Sequence, residues 1–137
     1  MTNLQLPDST RARLIASALL TREHAYAPYS QYQVGAALLT ETGKIFTGCN
    51  VENSSYGLTI CAERGAIAAA VAGGHTKFRA IAIASANRGS PCGACRQVLA
   101  EFGLDLIVIM CEPQQQPVIS SLRDLLPLAF TASKSHG

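Results

Sequence analysis

Three cysteines and one glutamate, gathered at the heads of two helical segments, constrain this chain more than any other feature. Cys61-Ala62-Glu63 opens the first segment, and Pro91-Cys92-Gly93-Ala94-Cys95 opens the second about thirty residues further on. Helices that follow parallel strands start together at the carboxyl end of the sheet, so strand and helix must alternate here if these groups are to meet. Cys92 and Cys95 lie one helical turn apart, which puts both sulfurs on the same side. The cysteine count of five is odd, and three of the five fall in these two tight motifs, which favours reduced thiols and a metal over disulfides.

The remaining pattern predicts a frame that can do this. After the start signal Pro7-Asp8-Ser9, residues 8–25 place Leu14, Ile15, Ala18, Leu19 and Leu20 at helical intervals, and Ala27-Pro28-Tyr29-Ser30 ends the segment. Apolar runs at 34–39 and 45–49 flank Glu41-Thr42-Gly43-Lys44, a hairpin whose glycine suits a positive-φ position. Residues 50–60 are polar and irregular, and 61–72 form an alanine-rich helix closed by Gly73-Gly74. A strand at 80–84, a loop at 87–91, a helix at 92–102 backed by Gly103 and a strand at 106–111 follow. A short strand at Val118-Ile119 and a short helix at 122–126, stopped by Pro127, complete the reading. Consecutive strand-to-helix units predict a parallel portion of sheet, to which the hairpin adds an antiparallel strand. The expected fold is α/β: a three-layer mixed β-sheet with helices on both faces, in one domain over residues 1–137.

Three thiolates suffice to hold Zn²⁺ while leaving its fourth tetrahedral position to water, the mark of a catalytic rather than a structural site. Zinc lowers the pKa of bound water from about 15.7 toward about 7. Three thiolates leave the complex net negative, so positive potential is needed; helix N-termini supply part of it. Arg64 either pairs with a surface acid or donates to a thiolate, and its place beside the motif favours the thiolate. A closed structural site would need Cys49 or Cys111 as fourth ligand and would leave Glu63 without a role; both cysteines read instead as small buried hydrophobes.

Cys61-Ala62-Glu63-Arg64 with Pro91-Cys92-Gly93-Ala94-Cys95-Arg96-Gln97 resembles the zinc signature of the cytidine deaminases. Further stretches resemble the same family: Val34-Gly35-Ala36-Ala37-Leu38, Gly48-Cys49-Asn50-Val51-Glu52-Asn53, Ala80-Ile81-Ala82-Ile83-Ala84-Ser85 and Leu125-Leu126-Pro127, together covering roughly residues 10–130. The resemblance implies zinc ligation by Cys61, Cys92 and Cys95, with Glu63 carrying a proton from water to ring N3 and then to the departing amine. It implies ribose contacts from Asn50 and Glu52, and it assigns Ala62 and Tyr32 to the substrate-facing set. Tyr32 stands where the family usually has phenylalanine, and its hydroxyl adds a polar tip that must find a partner or water. The implied assembly is a homotetramer with shared active sites.

The expected function is hydrolytic deamination of cytidine and deoxycytidine in pyrimidine salvage. Two other readings stand beside it: deamination of a cytosine nucleoside antibiotic such as blasticidin S, whose enzymes differ in the Asn50–Asn53 stretch, and a zinc-stabilised scaffold without activity. Nucleic acid is not an expected partner, because the net charge is only +2 and the eleven basic residues are scattered from Arg11 to Lys134. No secretory signal is read at Met1–Asp8, and the apolar stretch near Ile67 is interrupted by Glu63 and Arg64, so neither export nor a membrane span is expected and the predicted location is cytoplasmic. A mean hydropathy of +0.19 hints at apolar surface covered by partner subunits. His24, His75 and His136 read as solvated, Arg96 and Gln97 as polar helix residues, and Tyr26 and Tyr29 as packing residues.

Overall fold

The hairpin, the helices and the sheet all appear in the structure, a computed structural model that describes residues 4–132. Met1–Asn3, Lys134 and His136 lie outside the described residues. Helix α1 spans Asp8–Arg22, entered through Pro7, with Asp8 in its first turn and Arg22 in its last, the charge order that suits the helix dipole. It ends at Arg22 rather than Ala25, because the Glu23, His24 and Ala25 N–H groups bond three residues back, tightening and then closing the helix. Strands β1 (Gly35–Thr40) and β2 (Ile45–Cys49) form the hairpin, with Gly43 at φ +94° in its turn. Buried Thr40 ties that turn down: its Oγ1 accepts the Lys44 N–H at 3.0 Å.

A short 3₁₀ turn, Tyr56–Leu58, interrupts the irregular 50–60 segment. Helix α2 spans Ala62–Ala72 and stops at Gly73-Gly74, where Gly74 takes φ +91° and the His75 N–H reaches back to Ala70 O. Then come β3 (Phe78–Ala84), α3 (Gly93–Ala100), β4 (Ile107–Cys111), β5 (Val118–Ser121) and α4 (Leu122–Leu125), the last capped by Ser121 Oγ accepting the Asp124 N–H. The sequence reading placed Cys92 inside α3; it is the N-cap residue, in extended backbone conformation.

The five strands lie in the order β2-β1-β3-β4-β5. β1 runs antiparallel to both neighbours, β3 and β4 are parallel, and β5 is antiparallel to β4. β2, β3 and β4 therefore share one direction, so α2 and α3 both start at the same end of the sheet. Strand residues alternate strictly between two cores. Ala36, Leu38, Ile81, Ile83, Val108 and Met110 face α2 and α3, while Ala37, Leu39, Ala80, Ala82, Ala84, Ile107 and Ile109 face the side covered by α1. Helices thus cover both faces, as expected. Two glycines let them come close: a Cβ at Gly35 would lie 2.2 Å from Ala18 O of α1, and one at Gly48 would lie 2.4 Å from Ala66 N of α2. Among the described residues no helix is long and apolar enough to cross a membrane.

Candidate active site

The shared direction of β2 and β3 brings the heads of α2 and α3 together. Cys61 and Cys92 are the N-cap residues of the two helices, and Cys95 sits in the first turn of α3, fully buried. Their sulfurs lie within 4.8 Å of one another, the one such group of potential ligands among the described residues. Cys49 and Cys111 are not part of it. The Cys111 thiol points instead at Ile83 O, 3.5 Å away, in the core beneath α1. Three soft donors, with no fourth protein ligand among the described residues, match the donor set of an open zinc site, so these residues fit that ion.

Cys92 and Cys95 differ in their electrostatics. The first-turn N–H of Cys95, with that of Ala94, holds the Cys92 thiol below its ordinary value. Burial, and then the Glu63 charge, push the Cys95 thiol up. Glu63 itself is only 5% exposed, and burial raises its carboxyl above the ordinary range, partly offset by its own N–H, by Cys95 and by Arg64. Arg64 reaches back along α2: Nη2 donates to Cys61 Sγ at 3.6 Å and to Thr59 O at 3.4 Å. The contact with Cys61 raises the guanidinium further, and its buried Nε has no hydrogen-bond partner among the described residues. Between the two readings of Arg64, the geometry favours the thiolate.

A cavity of about 220 Å³ opens over the sulfurs, and Tyr32, Asn50, Ala62, Glu63, Ser85 and Gly89 are among its walls. Asn50 is buried, and its amide bridges the backbone ahead of β1: Nδ2 donates to Tyr32 O at 2.8 Å and Oδ1 accepts the Val34 N–H at 2.9 Å. One amide hydrogen is left for a ligand. Ala62 is fully buried and forms part of the floor. Glu52 does not reach the cavity. It lies in a neighbouring depression with Tyr29, Ser30 and Tyr56, joined to the cavity by Thr59, which lines both. There its carboxylate accepts from the Ser30 hydroxyl and from the Tyr29 and Ser30 N–H groups, and these bonds, the hydroxyl first, draw it below its ordinary value.

Several residues have larger parts than their sequence positions suggest. Arg96 is no ordinary surface residue: Nε donates to Pro91 O at 2.7 Å, Nη1 to Leu125 O at 2.5 Å and Nη2 to Ser90 Oγ at 3.1 Å, so one guanidinium pins the segment leading into Cys92 onto α4. Gln97 donates to Phe130 O at 2.9 Å. The polar tip of Tyr32 has found its partner in Asn87, a loop residue that sequence reading passed over. Tyr26 and Tyr29, expected to pack, are half exposed, with Tyr29 edge-on to Tyr56. His24 is exposed, whereas His75 is half buried against Phe46, its ring centroid 5.4 Å away, because the Gly73-Gly74 cap folds it back. The contacts to Leu125, Phe130, Asn87, Tyr56 and Phe46 each span more than 25 residues, so no periodicity or spacing signals them.

Comparison with known proteins agrees with this geometry. Residues 8–111 match the family model described as the cytidine and deoxycytidylate deaminase zinc-binding region. The chain is 49% identical over 122 residues to a probable cytidine deaminase of Dictyostelium discoideum, covering 87% of this chain and 82% of the relative. It is 46% identical over 125 residues to the cytidine deaminase of Halalkalibacterium halodurans, covering 89% and 95%. Among solved structures, the cytidine deaminase of Burkholderia pseudomallei superposes with a TM-score of 0.83 at 51% identity, covering 87% of this chain and 98% of that one.

Proposed function

The chain belongs to the cytidine and deoxycytidylate deaminase zinc-binding family, and from that premise we propose that it hydrolyses cytidine and deoxycytidine to the uracil nucleosides and ammonia. The observation that carries the reading is the meeting of three sulfurs within 4.8 Å beside a buried glutamate that is not one of them. Zinc held by Cys61, Cys92 and Cys95 would supply Lewis acidity and an activated water.

The chain's own residues do the rest. Glu63 takes a proton from the attacking water and gives it to ring N3, then takes the proton of the new C4 hydroxyl and delivers it to the leaving amine, so that water is consumed and ammonia released. Burial suits it to this task, because it raises the carboxyl above its ordinary value and so strengthens its hold on the proton that it carries. Arg64 offsets the thiolate charge through Cys61. Asn50 offers its remaining amide hydrogen to a ribose hydroxyl, and Glu52 meets the ribose where the sugar extends past Thr59 into the neighbouring depression. Ala62 forms the floor beneath the base, and Tyr32 stacks on it.

We assign this work to a single catalytic domain over residues 1–137, acting in pyrimidine salvage in the cytoplasm; all five cysteines are free, as a reducing compartment favours. We also infer a homotetramer with shared sites, a reading supported by the exposed side chains of Tyr26, Val51 and Ile60, which two β-bridges set side by side. Retention of Asn50–Asn53 supports the plain nucleoside over the antibiotic. The test is ammonia release by zinc-loaded protein from cytidine and deoxycytidine. Glu63→Gln should lower kcat by about 10² to 10⁴ while zinc content and fold persist. No ammonia from either nucleoside would end the assignment.

A further inference from the structure

Tyr32 is tied at both ends to different parts of the chain. Its carbonyl accepts from Asn50 Nδ2 at the end of β2, and its hydroxyl donates to Asn87 Oδ1 at 2.6 Å in the loop between β3 and α3. The loop end of this link is braced in turn. Asn87 Oδ1 also accepts from the Ser85 hydroxyl at 3.2 Å, and Ser85 Oγ accepts the Gly89 N–H at 2.8 Å. A Cβ at Gly89 would lie 2.7 Å from the Tyr32 hydroxyl, so glycine leaves room for the ring's tip. Arg88 fastens the same loop to the end of β4 through Glu112 at 2.8 Å and Gln116 O at 2.8 Å.

Tyr32, Ser85 and Gly89 all line the cavity, and Cys92 follows Gly89 by three residues. The Tyr32–Asn87 bond therefore joins the aromatic wall of the cavity to the loop that leads into two of the three sulfurs. The ring needs such a tether, because Tyr29 to Tyr32 is an exposed segment whose Gln31 takes φ +58°. An untied aromatic side chain there would move among its staggered rotamers.

We propose that this bond is a latch that sets the position of the Tyr32 ring, which makes Asn87 a positioning residue and the pair a limit on the bulk of the base admitted. The inference rests on the nucleoside deaminase reading of the same cavity. A ring fixed before the ligand arrives need not be ordered by it, so the latch acts on binding. It does not touch the proton path, so turnover of bound substrate is largely spared. A phenylalanine would keep the stacking face and lose the tether.

The test uses the full zinc-loaded chain as parent, Tyr32→Phe, Asn87→Ala and the double variant, assayed on cytidine and 5-methylcytidine with zinc content measured on each. Either single change should raise KM for cytidine about 3- to 10-fold, the scale of one hydrogen bond, with kcat within about twofold of the parent. The ratio of kcat/KM for 5-methylcytidine to that for cytidine should rise. The double variant should be no worse than the more affected single one, because both remove the same bond. Asn87→Asp, which keeps an acceptor, should stay nearer the parent than Asn87→Ala. Multiplied losses in the double variant, or kcat falling with KM unchanged, would overturn the latch. A parent that releases no ammonia defeats the deaminase reading, whereas an active parent whose single variants keep its KM defeats the latch alone.

Discussion

Cys92 and Cys111 carry the same thiol in opposite settings. At the head of α3, first-turn N–H groups draw the Cys92 thiol down, while burial beneath α1 pushes Cys111 up to about 11 from 9.0. Because the folded value for Cys111 exceeds the unfolded one, its contribution to stability is whole below pH 9.0 and is lost as pH climbs through about 11. Cys111→Ala should therefore start less stable than the parent and lose less on going from pH 8 to 11. Thermal unfolding across that range checks this, and a constant gap between the two proteins would contradict it. Cys61, Glu63, Cys92 and Cys95 are legible in the sequence because short spacing fixes the relations within each motif and strand-helix alternation brings the two motifs together. The setting of Glu52 was not, since the groups that hold its carboxylate lie 22 and 23 residues away. The fork of Arg96 escapes notice for the same reason, with one arm reaching 29 residues ahead.

The elements meet where side chains are absent. A Cβ at Gly48 would press on Ala66 N at 2.4 Å and Ala62 O at 2.5 Å, which are backbone atoms and cannot step aside without moving the start of α2. That start carries Cys61 and Glu63. Gly48→Ala should cost about 1–3 kcal/mol, as overpacking does, and should speed loss of zinc to a chelator. Gly57→Ala is the matched control, with nothing within 4 Å of its added carbon, and should stay within about 0.5 kcal/mol. Urea unfolding and zinc release measured on both variants decide it; equal behaviour would refute the close approach. Helices and strands themselves were readable from apolar period, and the glycine stop after α2 held as expected. What periodicity missed were the ends: the tightening of α1 past Arg22 and the role of Cys92 as a cap depend on backbone bonds that leave no apolar trace.

At the scale of the whole molecule, apolar surface is left over. Tyr26, Val51 and Ile60 stand exposed in a row of bridged residues, and Tyr56 and Leu58 beside Ile60 in the chain are 74% and 65% exposed. Sedimentation of the parent should give a mass near four times 14.4 kDa, and Tyr56→Glu with Ile60→Glu should shift it to smaller species. A parent sedimenting as one 14.4 kDa chain would refute the assembly. The hairpin of β1 and β2 has a further bearing on how the cavity works. At Gly35 one helix backbone rests on it from one side, and at Gly48 another rests on it from the other. The opposite jaw, residues 85–91, is moored by side chains from Tyr32, Glu112 and Arg96. Side-chain moorings give way more readily than packed backbone, so amide exchange should be faster in residues 85–91 than along the hairpin.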